Sequence, residues 1–271
     1  MSERTTPAQP GKEQVILSTF LMPSAADAAG SADAKLLEDP RNPALWLEKG
    51  HAYAKQTRFR DAIAAYSMGL TFDPFHALLL RFRGHRYLSL RFFQQGAADL
   101  EASSRFDPTN WDTWYHLGLA YYLLGDYERA EKAYETCLPR TPATGDPTLW
   151  PAIISWLWRT KTKLGKADEA RALLKDVDPA FDAGENQFYQ NCALVYAGLK
   201  EPETLRLPPE GQEFTPIALA TQGYGLSTWY EGAGDAAKQR ETNQWIVDNG
   251  FWAAFGYLAA EADLKAAEGR A

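Results

Sequence analysis

Four columns of residues recur at an offset of 34 through the first half of the chain, and this period constrains the fold more than any other feature. Gly50, Gly84 and Gly118 lie on it, as do Tyr53, Tyr87 and Tyr121, and Phe59, Phe93 and Tyr127. Pro40, Pro74, Pro108 and Pro142 share the step, and three of the four follow an Asp. A unit of this size is one supersecondary element copied in tandem; too small to bury its apolar face alone, it must stack on its neighbours. The spacing inside the third copy is helical: Trp114, Leu117, Gly118 and Tyr121 stand at i, i+3, i+4 and i+7. Leu124-Gly125-Asp126 breaks that helix, and a second carries Tyr127, Ala130, Tyr134 and Cys137 inward until Pro142, which cannot continue the hydrogen-bond ladder. Gly50, Gly84 and Gly118 in the first helices, with Ala62, Gly96 and Ala130 in the second, allow close approach while Trp and Tyr fill the gaps.

These residues resemble the tetratricopeptide repeat, whose 34 positions carry a Trp or Leu, a Leu-Gly, a Tyr, an Ala, an aromatic, another Ala and a Pro. Residues 111–144 match nearly every position. The unit from Pro43 has Trp46, Gly50, Tyr53, Ala62, Tyr66 and Pro74, with Lys49 and Gly69 where Leu and Ala are usual; that from Ala77 has Leu80, Gly84, Tyr87 and Pro108, with Arg83 and Gly96 as departures. The resemblance implies an all-α fold, a right-handed α-α superhelix with clear units over 43–144, degenerate C-terminal repeats and a closing helix. A fourth unit is drawn from Pro151 by aligning Leu164-Gly165 with Leu124-Gly125. A fifth runs through Tyr189, Cys192, Ala193 and Tyr196, its second helix shortened by Pro202, Pro208 and Pro209. A sixth runs through Leu226, Tyr230, Gly234-Asp235, Trp245 and Ile246, before a helix over Trp252 to Lys265. The expected organisation is a disordered tail over 1–12, a half-repeat with a helix near Ala25 to Glu38 plus the units over 13–200, a loop or linker over 201–216, and a degenerate unit with its capping helix over 217–271. The runs 81–87, 121–127 and 252–257 also resemble uncharacterised bacterial repeat proteins, which implies no activity.

With 45% hydrophobic residues, 271 residues can bury a sizeable core. A net charge of −7 and a pI near 5.2 argue against a general duplex-nucleic-acid binder, which needs a face of Lys and Arg. Cys137 and Cys192 read as two buried thiols. No apolar run reaches the roughly 18 residues that span a bilayer, so membrane insertion is not expected. The start of the chain has no basic n-region, which reads as cytoplasmic, or as exported if a leader once preceded it. The sequence contains no GxSxG, P-loop or GxGxxG motif and no strand pattern, so no catalytic residue and no cofactor is expected. His51 and His85 share one position in adjacent units, but no HExxH or CxxC spacing supports a metal.

The family resemblance further implies that the first helix of each unit lines a concave groove. Carried across position by position, this points to His51, Lys55, Arg81, His85, Ser89, Tyr115, Tyr122, Arg159, Thr162 and Lys163, followed by Gln190, Tyr224 and Glu231. The set is basic and aromatic on an acidic chain. Cations on a concave wall focus potential and favour a carboxylate, a phosphate or an acidic peptide tail. The leading expectation is therefore a scaffold that binds a protein or peptide. The alternative is a small-molecule-binding or catalytic repeat protein with a closed pocket around Arg81, His85 and the tryptophans Trp150, Trp156 and Trp158. Self-association through the aromatic C-terminal helix is compatible with either.

Overall fold

A computed structural model describes residues 30–208, 211 and 213–268; the tail over 1–12 and the start of the half-repeat lie outside the described residues. The expected all-helical array is present, with no strand among the described residues. After α1 (Gly30–Glu38), three regular hairpins follow: α2 (Pro43–Lys55) with α3 (Phe59–Phe72), α4 (Ala77–Ser89) with α5 (Phe93–Phe106), and α6 (Trp111–Leu123) with α7 (Tyr127–Cys137). The remainder comprises α8 (Trp150–Lys163), α9 (Ala167–Ala172), α10 (Gln187–Tyr196), α11 (Pro216–Gly232), α12 (Ala236–Asn249) and α13 (Phe255–Glu268).

The 34-residue step extends to the local devices that start and stop these helices. Asn42, His76 and Asn110 share one register position and cap α2, α4 and α6, accepting backbone N–H groups that would otherwise lack partners. The turns inside the hairpins need one left-handed residue each, supplied by Thr57 (φ 58°), Arg91 (φ 66°) and Gly125 (φ 78°), again in step. The indole N–H of Trp46 donates to the Pro40 carbonyl and that of Trp114 to the Pro108 carbonyl, both at 2.9 Å. Each thus ties a first helix to the preceding turn.

Close packing inside a hairpin depends on glycine. A methyl group at Gly50 would sit 2.0 Å from the Tyr66 ring, and one at Gly118 would sit 2.6 Å from the Tyr134 ring. Both rings are fully buried against bare helix backbone. The second hairpin adds a two-pronged ion pair from Arg83 to Asp99 at 2.7 and 2.8 Å.

Regularity fades beyond α7. The connectors between helices, four residues at 73–76 and at 107–110, lengthen to 138–149 before α8 and to 173–186 between α9 and α10. After α10 a single 3-10 turn, Pro202–Arg206, stands where a second helix would be. Its Leu205 is fully buried, and Gln222 of α11 donates to the Leu205 and Leu207 carbonyls, so this part of the 201–216 segment is packed rather than free.

The last helix positions the site. α13 stacks on α11 and α12 and also meets the first half of the chain across the inside of the array. Arg91 donates to Glu261 at 3.0 Å and to the Trp252 carbonyl at 2.9 Å, and Trp252 packs 5.5 Å from Phe59. Phe255 lies against His85 and His116, with centroids 5.1 and 5.5 Å away. The inner faces of the first helices therefore bury one another and the closing helix.

Candidate functional site

Residues assigned to the groove fall into a largely buried group and a more exposed group on the first two hairpins. Tyr122 is buried, its hydroxyl 2.7 Å from that of Tyr224, which donates to Asp263 at 3.0 Å. Burial, and then Asp263, pushes both phenols well above their usual range. Tyr115 is buried and donates to the Tyr189 hydroxyl at 3.4 Å. Lys163 is matched by Glu231 at 2.8 Å and Asp263 at 3.1 Å. Arg159 is wholly buried: its Nε donates to the Tyr196 hydroxyl at 3.0 Å, and its guanidinium lies 4.6 Å over the Trp156 ring.

Arg81, also buried, pairs with Asp112 and lies 3.1 Å from Nδ1 of His116, with its guanidinium 4.2 Å over Phe82. Burial alone would raise the Asp112 carboxyl; His116 and Arg81 outweigh it and hold it well below the carboxylate range. His85 lies 4.4 Å from His116 in a tilted arrangement, and burial, followed by Arg86, pushes its imidazole well below the usual value. Trp150 lines one cleft and Trp158 another, while Trp156 is fully buried; neither Arg81 nor His85 lines either cleft.

The more exposed group is His51 and Lys55, joined by two cations that the register did not select, Arg86 and Arg60. His51 places Nδ1 3.1 Å from the Tyr66 hydroxyl and its ring edge-on to Phe82 at 4.2 Å. Burial lowers its pKa, and Arg81, Arg86 and Lys55 lower it further, so all three cations act on one ring. Arg86 lies 4.7 Å over Phe59, and burial depresses its pKa to about 10. Arg60 lies 5.6 Å over Phe92. The nearby carboxylates are committed elsewhere: Asp61 to Arg58, Asp112 to Arg81 and Glu261 to Arg91. Among the described residues no carboxylate pairs with Lys55, Arg60 or Arg86. The sequence held a signal for Arg86, because the equivalent position in the flanking units is an alanine, Ala52 and Ala120.

One acidic cluster invites a metal reading and has a simpler account. Glu131, Glu135 and Glu169 offer carboxylate oxygens within 4.8 Å of one another. The Lys161 ammonium sits among them at 2.5, 2.9 and 2.8 Å and neutralises the repulsion an ion would otherwise relieve.

The family model of the tetratricopeptide repeat matches residues 111–140, the third hairpin. The third hairpin is a tetratricopeptide repeat. Human RNA polymerase II-associated protein 3 is 27% identical over 194 residues, covering 72% of this chain and 25% of that one. The heat-shock protein cognate co-chaperone sgt12 of Aspergillus fumigatus is 29% identical over 136 residues, covering 50% of this chain and 39% of that one. The chain thus spans well under half the length of these relatives. Among solved structures, the tetratricopeptide-repeat protein YrrB aligns over 88% of this chain and 100% of its own, at 14% identity and a TM-score of 0.51, a likeness of fold. No helix among the described residues is long and apolar enough to cross a membrane.

Proposed function

We propose that this tetratricopeptide-repeat protein is a protein-interaction scaffold whose receiving surface is the cationic end of the inner face, formed by His51, Lys55, Arg60 and Arg86, and that it takes an acidic peptide segment. The observation that carries this reading is the unpaired state of Arg86. In a chain of net charge −7 its half-buried guanidinium lies on an aromatic ring with no carboxylate partner among the described residues. A partly desolvated cation of this kind is relieved by an incoming carboxylate more than a fully hydrated one would be. Arg81, Arg159 and Lys163 serve a different purpose in this reading. Arg81 and Lys163 are paired with carboxylates in the interior, and Arg159 is held there by the Tyr196 hydroxyl and the Trp156 ring. The co-chaperone relative supports a protein as the class of ligand.

The test is a fluorescence-anisotropy titration with a labelled Glu/Asp-rich peptide and its Gln/Asn counterpart. The acidic peptide is expected to bind at least tenfold more tightly, with affinity falling as salt is raised. Arg86→Gln and Lys55→Gln should each weaken it several-fold, while Arg171→Gln, on an exposed outer helix, should not. Equal binding of the two peptides, or indifference to Arg86→Gln, would sink the proposal.

A further inference from the structure

The two long connectors create a concavity that the regular repeats lack. Residues 138–149 and 173–186 fold over the same edge of the array and enclose a cleft of about 520 Å³ floored by α8 and α10. That volume falls within the range of small-molecule sites, roughly 300–1,000 Å³. Its walls are mostly apolar, with Trp150 and Phe181 among them, and three carboxylates line it: Asp146, Asp176 and Asp178. No lysine or arginine lines the cleft, and none of the three makes an ion pair among the described residues. One oxygen of Asp146 accepts from Thr148 and one of Asp178 accepts from the Ala180 N–H, which leaves a second oxygen on each.

A second observation is independent of this charge. Gln190 also lines the cleft and is 1% exposed. Its Nε2 donates to the Asp178 carbonyl at 2.8 Å, which fixes the orientation of the amide, and Oε1 has no donor from the protein. A buried acceptor without a partner costs stability unless something donates to it.

We infer that this cleft binds a small organic cation, an ammonium or guanidinium carried on an apolar body. An anion would face three carboxylates, and a neutral apolar guest would strip water from them without compensation. A cation on an alkyl or aryl body satisfies every part of the site: its N–H groups suit the carboxylates and the Gln190 acceptor, and the ring faces of Trp150 and Phe181 attract positive charge. The inference does not depend on the proposed acidic-peptide surface, which lies on the first two hairpins and has the opposite charge.

The experiment is isothermal titration of the intact chain with 2-phenylethylammonium, its neutral isostere 2-phenylethanol and the anion 3-phenylpropionate, together with a capped Gly-Lys-Gly peptide to distinguish a free amine from a lysine side chain. The ammonium is expected to bind at least tenfold more tightly than either isostere. Asp176→Asn should weaken it several-fold and Asp176→Lys should abolish it, with the helical circular-dichroism signal unchanged. Tighter binding of the peptide than of the amine would keep the cation site and identify a lysine chain as its source. Equal affinity for ammonium and alcohol, measured on the unaltered chain, would overturn the proposal whatever the variants do. So would a correctly folded Asp176→Lys that still binds.

Discussion

Replacing Gly118 by alanine tests the packing on which the array depends. An alanine methyl there would stand 2.6, 2.7 and 2.8 Å from three atoms of the Tyr134 ring, all inside the separations that carbon atoms tolerate. The ring is fully buried and packs 6.2 Å from Tyr115. Overpacking of this kind costs about 1–3 kcal/mol. Alanine would return about 1 kcal/mol through its better helix propensity. The net expectation is a loss of up to about 2 kcal/mol, centred near 1 kcal/mol, and with a urea slope of roughly 3 kcal/mol/M the midpoint should fall by about 0.3 M. Gly232→Ala is the matched control, since its methyl would meet only a Thr162 methyl at an ordinary 3.6 Å and should be neutral or mildly stabilising. Urea denaturation followed by circular dichroism reads both. If Gly118→Ala matches or exceeds the parent while Gly232→Ala behaves as expected, bare backbone under Tyr134 is not what sets the hairpin.

Thr57→Gly should raise stability by about 0.5–1 kcal/mol, because Thr57 holds a left-handed φ of 58° where the third unit already uses glycine; thermal denaturation measures it. Tyr134→Phe should leave stability unchanged or slightly higher, because it removes a buried hydroxyl that has no hydrogen-bond partner, and the same melt checks it. His51, His85 and His116 all have folded pKa values below the ordinary 6.5, chiefly through burial. The unfolded chain therefore binds protons first on acidification: stability is full above about pH 6.5 and falls below it, by up to about 1.4 kcal/mol per pH unit for each histidine, which urea titrations at pH 7.5 and 5.5 would record. Arg91→Ala should speed amide exchange in the 255–262 stretch of α13, because it removes the bonds to Glu261 and Trp252, while exchange in α6 changes little.

The hairpins were legible in the sequence because everything that builds them is local and periodic. The glycine that admits Tyr66 or Tyr134, the capping Asn42 and Asn110, and the left-handed turn residue all recur within one unit length. The occupancy of the inner face was not legible. Register indicates the side of a helix on which Tyr122 or Lys163 lies, but the groups that cover them, Tyr224 and Asp263, come from about 100 residues later in the chain. Arg91 likewise meets Glu261 across 170 residues. Such contacts depend on how tightly the array coils, which no single unit encodes. The cleft beside Trp150 is not legible in the sequence for a related reason: it is made by connectors that have no period to compare. Arg86 was readable in principle, since a cation at an alanine position on an inner face is a local departure from the repeat.

The central claim is that the interior of the array is filled by the chain itself while its cationic end remains available to an acidic partner. The most direct test is hydrogen exchange with mass spectrometry on the intact chain, with and without a saturating Glu/Asp-rich peptide. Slowed exchange is expected around 51–60 and 86–92, with the slow amides of α6 and α8 unchanged. Protection confined to 141–150 and 176–190, or to the outer helices, would contradict it.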